Sequence, residues 1–348
     1  MPPAAGRPTE MTETTELLNA DTVGAYLCQQ GLIADVTPVH ARALGGGVSN
    51  VVLAVDTGEG QLVVKQSLEQ LRVREQWTAP RDRVITESEG LQLARGLTPD
   101  AVPAVLRTDA ERCVIVIEQA PAGWTDWKSQ LLTQRPGFSD LTTSARLGEL
   151  LGTWQSATVT GLGPRFADPS AFEALRVDPY YRAAARRRPE YATALGWYAE
   201  QLTSRRRCLS HGDFSPKNVL VGDSGLWVID FEVAHLGDPA FDLAFLLSHL
   251  LLKSLHQPGW SDRYAACAES FTDSYSHAAN PALAPGWDYV AGHVGCLLLA
   301  RVHGKSPAEY LTGGQRHSAS RLGAALVAQQ PAQPRQLWDV LARIEESA

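Results

Sequence analysis

The sequence predicts an α+β fold of two lobes, a β-rich first lobe and a mostly α-helical second. Three observations predict it. Short β-prone segments crowd the first 120 residues, helical patterns dominate after residue 125, and Pro121-Ala122-Gly123 breaks both patterns between them. The division that follows is a disordered tail at 1–14, a first lobe at 15–120 and a second lobe at 121–348.

The elements follow in chain order. Thr15 to Leu32 reads as a short helix ending near Gly31. Gly45-Gly46-Gly47-Val48-Ser49-Asn50 is a glycine turn before the β-prone run Val51–Val55. Thr57-Gly58-Glu59-Gly60 is a hairpin signal, and Gln61–Gln66 is the returning strand, carrying Lys65. Over Arg83–Leu97, the residues Val84, Glu87, Leu91 and Ala94 share one helical face. Cys113–Ile117 is a continuous apolar run, as expected of a central strand. Helices are expected at Asp126–Gln134, Leu141–Thr158, Tyr191–Ser204 and from Phe241 onward. A small hairpin, Asn218–Val221 and Leu226–Asp230, interrupts them.

Composition narrows the class. The 348 residues are 44% hydrophobic and 20% charged, with a net charge of -7, which speaks against a nucleic-acid partner. The runs Arg186–Arg188 and Arg205–Arg207 read as solvated helix faces. Five cysteines without a C-x-x-C pair suit neither a disulfide framework nor a zinc site and fit a reducing cytoplasm. The apolar stretch Phe241–Leu252 is too short to span a bilayer, so no membrane partner is expected. No signal peptide is visible, and Met11 is a conceivable second start. The chain is expected to act as a monomer or homodimer.

Chemistry concentrates in His211-Gly212-Asp213-Phe214-Ser215-Pro216-Lys217-Asn218, followed twelve positions later by Asp230 of Val228-Ile229-Asp230-Phe231-Glu232. Phosphoryl transfer needs a carboxylate to orient and accept the proton of an incoming hydroxyl. It also needs oxygen ligands that hold Mg2+ against the phosphates. An H-x-D-x-x-x-x-N loop supplies both, Asp213 as base and Asn218 as metal ligand, and Asp230 adds a second carboxylate.

This arrangement resembles the aminoglycoside phosphotransferase and choline kinase group of small-molecule kinases, which carry H-G-D and I-D-x-E where protein kinases carry H-R-D and D-F-G. The resemblance runs from about Leu44 to Asp242. It implies a protein-kinase-like fold, ATP and Mg2+ as cofactors, and a small-molecule alcohol as substrate. Gly46, Gly47, Ser49 and Asn50 would then form the loop over the phosphates, where glycine lets backbone N–H groups approach anionic oxygens. Lys65 would bind the phosphates and pair with Glu87, or failing that with Glu89. The C=O of Glu118 and the N–H of Ala120 would hold adenine. Gly237-Asp238-Pro239 and Asp242 read as structural, with an N-cap role for one of the acids.

A closer partial resemblance is to methylthioribose kinases. Lys65–Leu68, Arg72-Val73, Trp77, Asp82-Arg83, Glu87 and Asp178–Tyr181 carry it. So does the pair Asp230 and Glu232, which in that family supplies two metal-binding carboxylates. Arg301 falls where that family has a tandem arginine for the sugar, but only one arginine is present. The catalytic loop also departs from that family's H-G-D-L-H-T-G-S. An aminoglycoside would call for carboxylates, offered by Asp262, Glu269, Asp273, Asp288 and Glu309. A quaternary ammonium would call for aromatic faces, offered by Trp260, Tyr264, Trp287 and Tyr289. The expectation is a kinase acting on a sugar or other alcohol. The alternatives are a methylthioribose kinase or aminoglycoside phosphotransferase in particular, or a nucleotide-binding pseudokinase serving as an interaction module. Ser215, where protein kinases usually carry lysine, and the absence of an A-P-E motif point away from protein substrates.

Overall fold

The computed structural model describes residues 16–35, 37–45, 48–72 and 77–347. Five antiparallel strands form the first lobe: β1 (His40–Ala43), β2 (Asn50–Asp56), β3 (Gln61–Ser67), β4 (Val105–Asp109) and β5 (Val114–Glu118), in the order β1-β2-β3-β5-β4. Alternation along the strands sorts side chains between the two faces. Val51, Leu53, Val55, Val64, Val114 and Val116 pack on one face under helix α1 (Val23–Gln29), while Ile115 and Ile117 join the main core on the other. That second face is covered by α2 (Arg83–Leu97), whose bounds match the expected helix. Lys65 sits mid-sheet, opposite Val52 on one side and Ile115 on the other. An unpaired edge position is therefore excluded for it.

The expected helix at residues 15–32 is shorter, because 16–19 carry no regular structure and only Val23–Gln29 is helical. That irregular stretch has its own tie: the Leu18 N–H donates to the Gln66 side chain at 2.8 Å.

The second lobe begins with β6 (Thr125–Asp126), α3 (Trp127–Thr133) and α4 (Phe138–Ala157). Asp126 caps α3 by accepting from the Ser129 N–H at 2.8 Å. A helical run at 170–187 follows that the sequence reading did not anticipate, and its centre, Glu173–Arg182, is π-helical. Pro179 lies inside it, a poor signal for a helix and a common cause of its widening. Then come α5 (Ala192–Ser204), β7 (Cys208–Ser210), the hairpin β8 (Val219–Gly222) and β9 (Gly225–Val228), and β10 (His235–Gly237). β7 pairs with β10, and β8 lies between β6 and β9. The chain ends in α6 (Pro239–His256), α7 (Ser261–Ala278), α8 (Trp287–His303), α9 (Gly313–Gln329) and α10 (Gln336–Glu346). One apolar core runs through this lobe and reaches α2 and the inner face of the sheet. Among the described residues, no helix is long and apolar enough to cross a membrane.

The lobes are fastened by close packing. A Cβ on Gly90 of α2 would lie 2.9 Å from the Phe231 side chain, so only glycine allows this approach. Leu71, Trp77 and Ala79 of the first lobe pack on Leu175 and Val233 of the second, and the Trp77 indole donates to the Ala174 carbonyl at 2.9 Å.

Candidate active site

The loop between β7 and the β8–β9 hairpin carries the H-G-D-x-x-x-x-N motif. Its backbone is held by Asp242 in the first turn of α6. That carboxylate accepts from the N–H of His211 and of Gly212, each at 2.8 Å, and from the Ser210 hydroxyl at 3.1 Å. Burial pushes its pKa up to about 6 even against those donors. Asp238, not Asp242, caps the helix, accepting from the Ala240 N–H at 2.9 Å. Gly212 has φ +75°, and a Cβ there would stand 2.7 Å from the Val233 carbonyl.

His211 is buried, and burial lowers its pKa to about 4, so it is neutral. Its Nδ1 accepts from the Asp213 N–H at 3.1 Å, which leaves the proton on Nε2, facing the Ile229 carbonyl at 3.2 Å. The imidazole thus ties the catalytic loop to the segment bearing Asp230. Phe231 packs at a tilt against His211, with ring centres 4.3 Å apart, and against Trp154 at 5.6 Å. The same phenyl ring supports α2 at Gly90 and the catalytic loop at His211.

Asp213 is 2% exposed, and three donors converge on its Oδ2. They are Arg176 Nη2 at 2.7 Å, Asn218 Nδ2 at 2.8 Å and Lys217 Nζ at 2.9 Å. Among the described residues, none reaches Oδ1. Arg176 was missed in the sequence reading. It comes from the π-helical segment, is 7% exposed, donates through Nε to the Gly212 carbonyl at 2.8 Å, and lies over Tyr180 and Phe245. No motif marks it, and only the fold brings it to the base. Lys217 supplies a cation beside the base although position 215 is serine.

Lys65 and Asp230 join the lobes. The ammonium lies 2.6 Å from Glu87 Oε1 and 2.9 Å from Asp230 Oδ1. Glu87 is therefore the helix partner, while Glu89 faces outward near Arg165 at 3.9 Å. Burial lowers the lysine's pKa, but the two carboxylates outweigh it and hold the group charged. Burial likewise opposes ionisation of Asp230, yet Lys65 and Lys217 outweigh it and keep its carboxyl well below the usual range. Glu87, more deeply enclosed, is pushed upward by burial. Asp230 has φ +74°, a costly conformation for a non-glycine residue and one that recurs at functional sites. The Asn218 carbonyl accepts from the Ile229 N–H at 2.9 Å, so Asn218 and Asp230 are neighbours.

Glu232, expected beside Asp230 as a metal ligand, turns elsewhere. Its Oε1 accepts from the Ser49 hydroxyl at 2.9 Å, and its Oε2 accepts from Asn50 at 2.9 Å and from Arg83 at 3.1 Å. Arg83 also donates to the Ser49 carbonyl. Ser49 and Asn50, expected over the phosphates, thus spend their side chains on fastening their loop to the second lobe. Gly46 and Gly47 lie outside the described residues. Glu118 ends β5, and its carboxylate accepts from the Ala104 N–H at 3.2 Å. Among the described residues, the Ala120 N–H has no partner within the chain. Arg301, on α8, donates to the Ser306 hydroxyl at 2.8 Å, and its buried Nε has no partner.

The alternative acceptor sites do not assemble. Tyr264 is buried with its hydroxyl on the Leu131 carbonyl, and Trp260, Trp287 and Tyr289 pack against the core. Among the five scattered acids, Asp262 pairs with Arg135 and Glu269 with Arg335, both on the surface.

A β-rich lobe carrying a buried lysine–glutamate pair, set over a helical lobe with an aspartate-bearing loop, defines a two-lobed small-molecule phosphotransferase of protein-kinase-like fold. The profile of the phosphotransferase enzyme family matches residues 40–275, and the chain belongs to that family. It is similar to the methylthioribose kinase of Bacillus cereus (strain ATCC 10987 / NRS 248), with 27% identity over 277 residues, 70% of this chain and 67% of that protein. Its fold is that of a protein from Ralstonia eutropha jmp134 assigned as an aminoglycoside phosphotransferase. Those two agree with a TM-score of 0.55 at 12% identity, over 93% of this chain and 98% of that one. The amicoumacin kinase hAmiN, solved with AMP-PNP, Ca2+ and Ami, aligns with a TM-score of 0.50 at 15% identity, over 86% and 91% of the two chains.

Proposed function

We propose that this chain is an ATP- and Mg2+-dependent kinase that phosphorylates a hydroxyl of a small molecule, a sugar or another alcohol. The observation that carries the reading is the posture of Asp213. Three donors take Oδ2 and leave Oδ1 for an acceptor hydroxyl, beside the linked set Asn218, Asp230, Lys65 and Glu87. In this reading Asp213 orients the hydroxyl and accepts its proton as the phosphoryl group transfers. Lys65, braced by Glu87, holds the α and β phosphates, and Lys217 steadies charge near the transferring group. The Glu118 carbonyl and Ala120 N–H receive adenine, and the loop bearing Gly46, Gly47, Ser49 and Asn50 covers the phosphates.

The donor set suits a small hard cation. Asn218 spends its amide nitrogen on Asp213 and keeps its oxygen, and Asp230 keeps Oδ2. Among the described residues, no group of three or more His, Cys, Asp or Glu could hold a metal. Mg2+ takes one or two carboxylates and draws its remaining ligands from phosphates and water. When bound, Mg2+ neutralises charge on the phosphates. Glu232 is assigned to the fastening of residues 48–50, not to the metal. The hAmiN complex with AMP-PNP and Ca2+ supports a nucleotide with a divalent ion, and the methylthioribose kinase relative supports a sugar-like acceptor.

The test is ADP release with Mg-ATP over a panel of small alcohols, comparing wild type with Asp213→Asn. Turnover should fall by about 10²- to 10⁴-fold with Mg-ATP affinity kept. Undiminished turnover in the variant would point to the pseudokinase reading or another base.

A further inference from the structure

The wall beside Asp213 is cationic. Phe245, His249 and Lys253 stand at i, i+4 and i+8 on α6 and so form one stripe of that helix. Arg176 lies 5.8 Å from the Phe245 ring and pairs with Asp213, and Tyr180 lies 5.9 Å from the same ring. His249 packs edge-on against Phe245 at 5.2 Å, and Lys253 Nζ reaches the His249 carbonyl at 3.4 Å. From α8 comes Arg301, whose neighbour Lys305 is hydrogen-bonded through its N–H to the Pro179 carbonyl, next to Tyr180. From α3, which packs on the turn holding Lys217, comes Lys128.

Lys253 is the unusual member. It is 0% exposed and, among the described residues, no carboxylate pairs with it. An enclosed ammonium without a counter-ion is costly, and a methionine of similar length would fill the space without that cost. Its neighbours make matters worse: burial, then Lys128 and Arg301, lower its pKa to about 7, against a smaller opposing pull from Asp126. The same field reaches Tyr180, whose phenol is lowered although burial raises it, because Arg301 and Arg176 outweigh burial. Around His249 the charges that act are Lys253, Arg301, Lys217 and Lys128, all positive. The acids acting on this wall are Asp213, which is already paired with Arg176 and Lys217, Asp230, which acts on Lys217 and is paired with Lys65, and Asp126.

We infer that the phosphate acceptor is a small hydroxylated anion, an alcohol carrying a carboxylate or phosphate group, and that the cationic wall of Lys217, Lys253, Arg301 and Lys128 selects it. Lys217, half exposed, is the member within reach of a ligand, while Arg301 holds an enclosed Nε donor without a partner. Lys128 acts through the field behind them, and Lys253, lowered to about 7 and so only partly charged at neutral pH, gains charge as an anion approaches. A positive wall attracts an anionic acceptor and repels a polycation, so an aminoglycoside or choline is disfavoured. This inference rests on the kinase reading above and deepens it.

The experiment uses acceptor pairs matched in hydroxyls but not in charge: ribose with ribose 5-phosphate, and glycerol with glycerate. Methylthioribose serves as a further neutral probe, and choline and kanamycin as cationic ones. Steady-state ADP release is measured for each, and binding of the ribose pair is measured by calorimetry with Mg-AMP-PNP present. The anionic member should be preferred by about tenfold or more in kcat/KM or in affinity. Lys253→Met should shrink that ratio several-fold while Mg-ATP affinity, read by thermal shift, stays constant. Arg301→Gln gives a second reading should Lys253→Met fold poorly. Preference for a neutral or cationic probe, or a ratio that neither variant changes, would overturn the inference while leaving the kinase reading intact. Charge-selective binding without turnover of any probe would instead count against the kinase reading, and with it against the anion as acceptor.

Discussion

Mild acid should destabilise this protein through histidines that the fold holds neutral. Burial lowers His211 and His235 to about 4, His293 to about 3, and His249 well below its ordinary value. In the unfolded chain each takes up a proton near pH 6.5, about two units or more before the folded chain does. Between those values the unfolded state binds more protons, so stability is present above about pH 6.5 and is lost as pH falls toward 4. At pH 5 each of His211, His235 and His293 costs about 2 kcal/mol relative to pH 7.5, about 6 kcal/mol together, and His249 acts in the same sense. Three buried carboxylates act in the other sense. Asp242, raised to about 6, and Glu87 and Asp238, also raised, bind protons first in the folded state, and the first two return about 4 kcal/mol together. The expected net loss is on the order of 2 kcal/mol, a sizeable part of a typical folding free energy. Urea unfolding at pH 7.5 and pH 5.0 measures it. His293, enclosed by Tyr181, Tyr198 and Tyr289, offers the control: His293→Leu should remove about 2 kcal/mol of the difference. Equal unfolding free energies at the two pH values would refute the reasoning.

Three further outcomes are expected. Gly212→Ala places a methyl group against the Val233 carbonyl at a backbone angle that L-residues avoid, so it should cost about 2 kcal/mol or more in urea unfolding. Arg176→Met removes one of three donors on Asp213 Oδ2. The turnover number should fall about tenfold or more with KM for ATP unchanged, and Arg176→Lys should restore part of it; equal kcat in all three proteins would remove Arg176 from the positioning of the base. Arg83→Met strands Glu232 without its buried counter-ion and should cost about 3 kcal/mol, seen as a lowered melting temperature; an unchanged value would show that Ser49 and Asn50 suffice to hold that carboxylate.

How much of the site was legible varies residue by residue. Asp213, Asn218 and Asp230 stand in a motif whose spacing is itself the chemistry, since a short loop must present base and metal ligand together. Helix Arg83–Leu97 was legible because its apolar period is local. Which glutamate meets Lys65 was not. Glu87 and Glu89 lie about 200° apart around one helix, and both are equally acidic on paper. Packing of α2 on β3 turns one inward to 2.6 Å and leaves the other at the surface. Glu232 shows the same limit, because its partner Arg83 is 149 residues away and no local pattern announces it. Arg176 lay in a segment whose π-helical geometry and internal proline hide the helical signal.

The chain's own order of residues determined the chemistry available, a lysine on a β-strand, an H-G-D-x-x-x-x-N loop and a D-x-E segment, and the alternation that makes a sheet and then helices. Tertiary structure decided what each charge does. Lys65 and Asp230 are 165 residues apart in the chain and meet at 2.9 Å, and the three donors on Asp213 Oδ2 include one from a different helical segment. Periodicity is a short-range property of the backbone, and sequence carries it openly. Ion pairing depends on distance and burial, which exist only once the lobes have closed on each other.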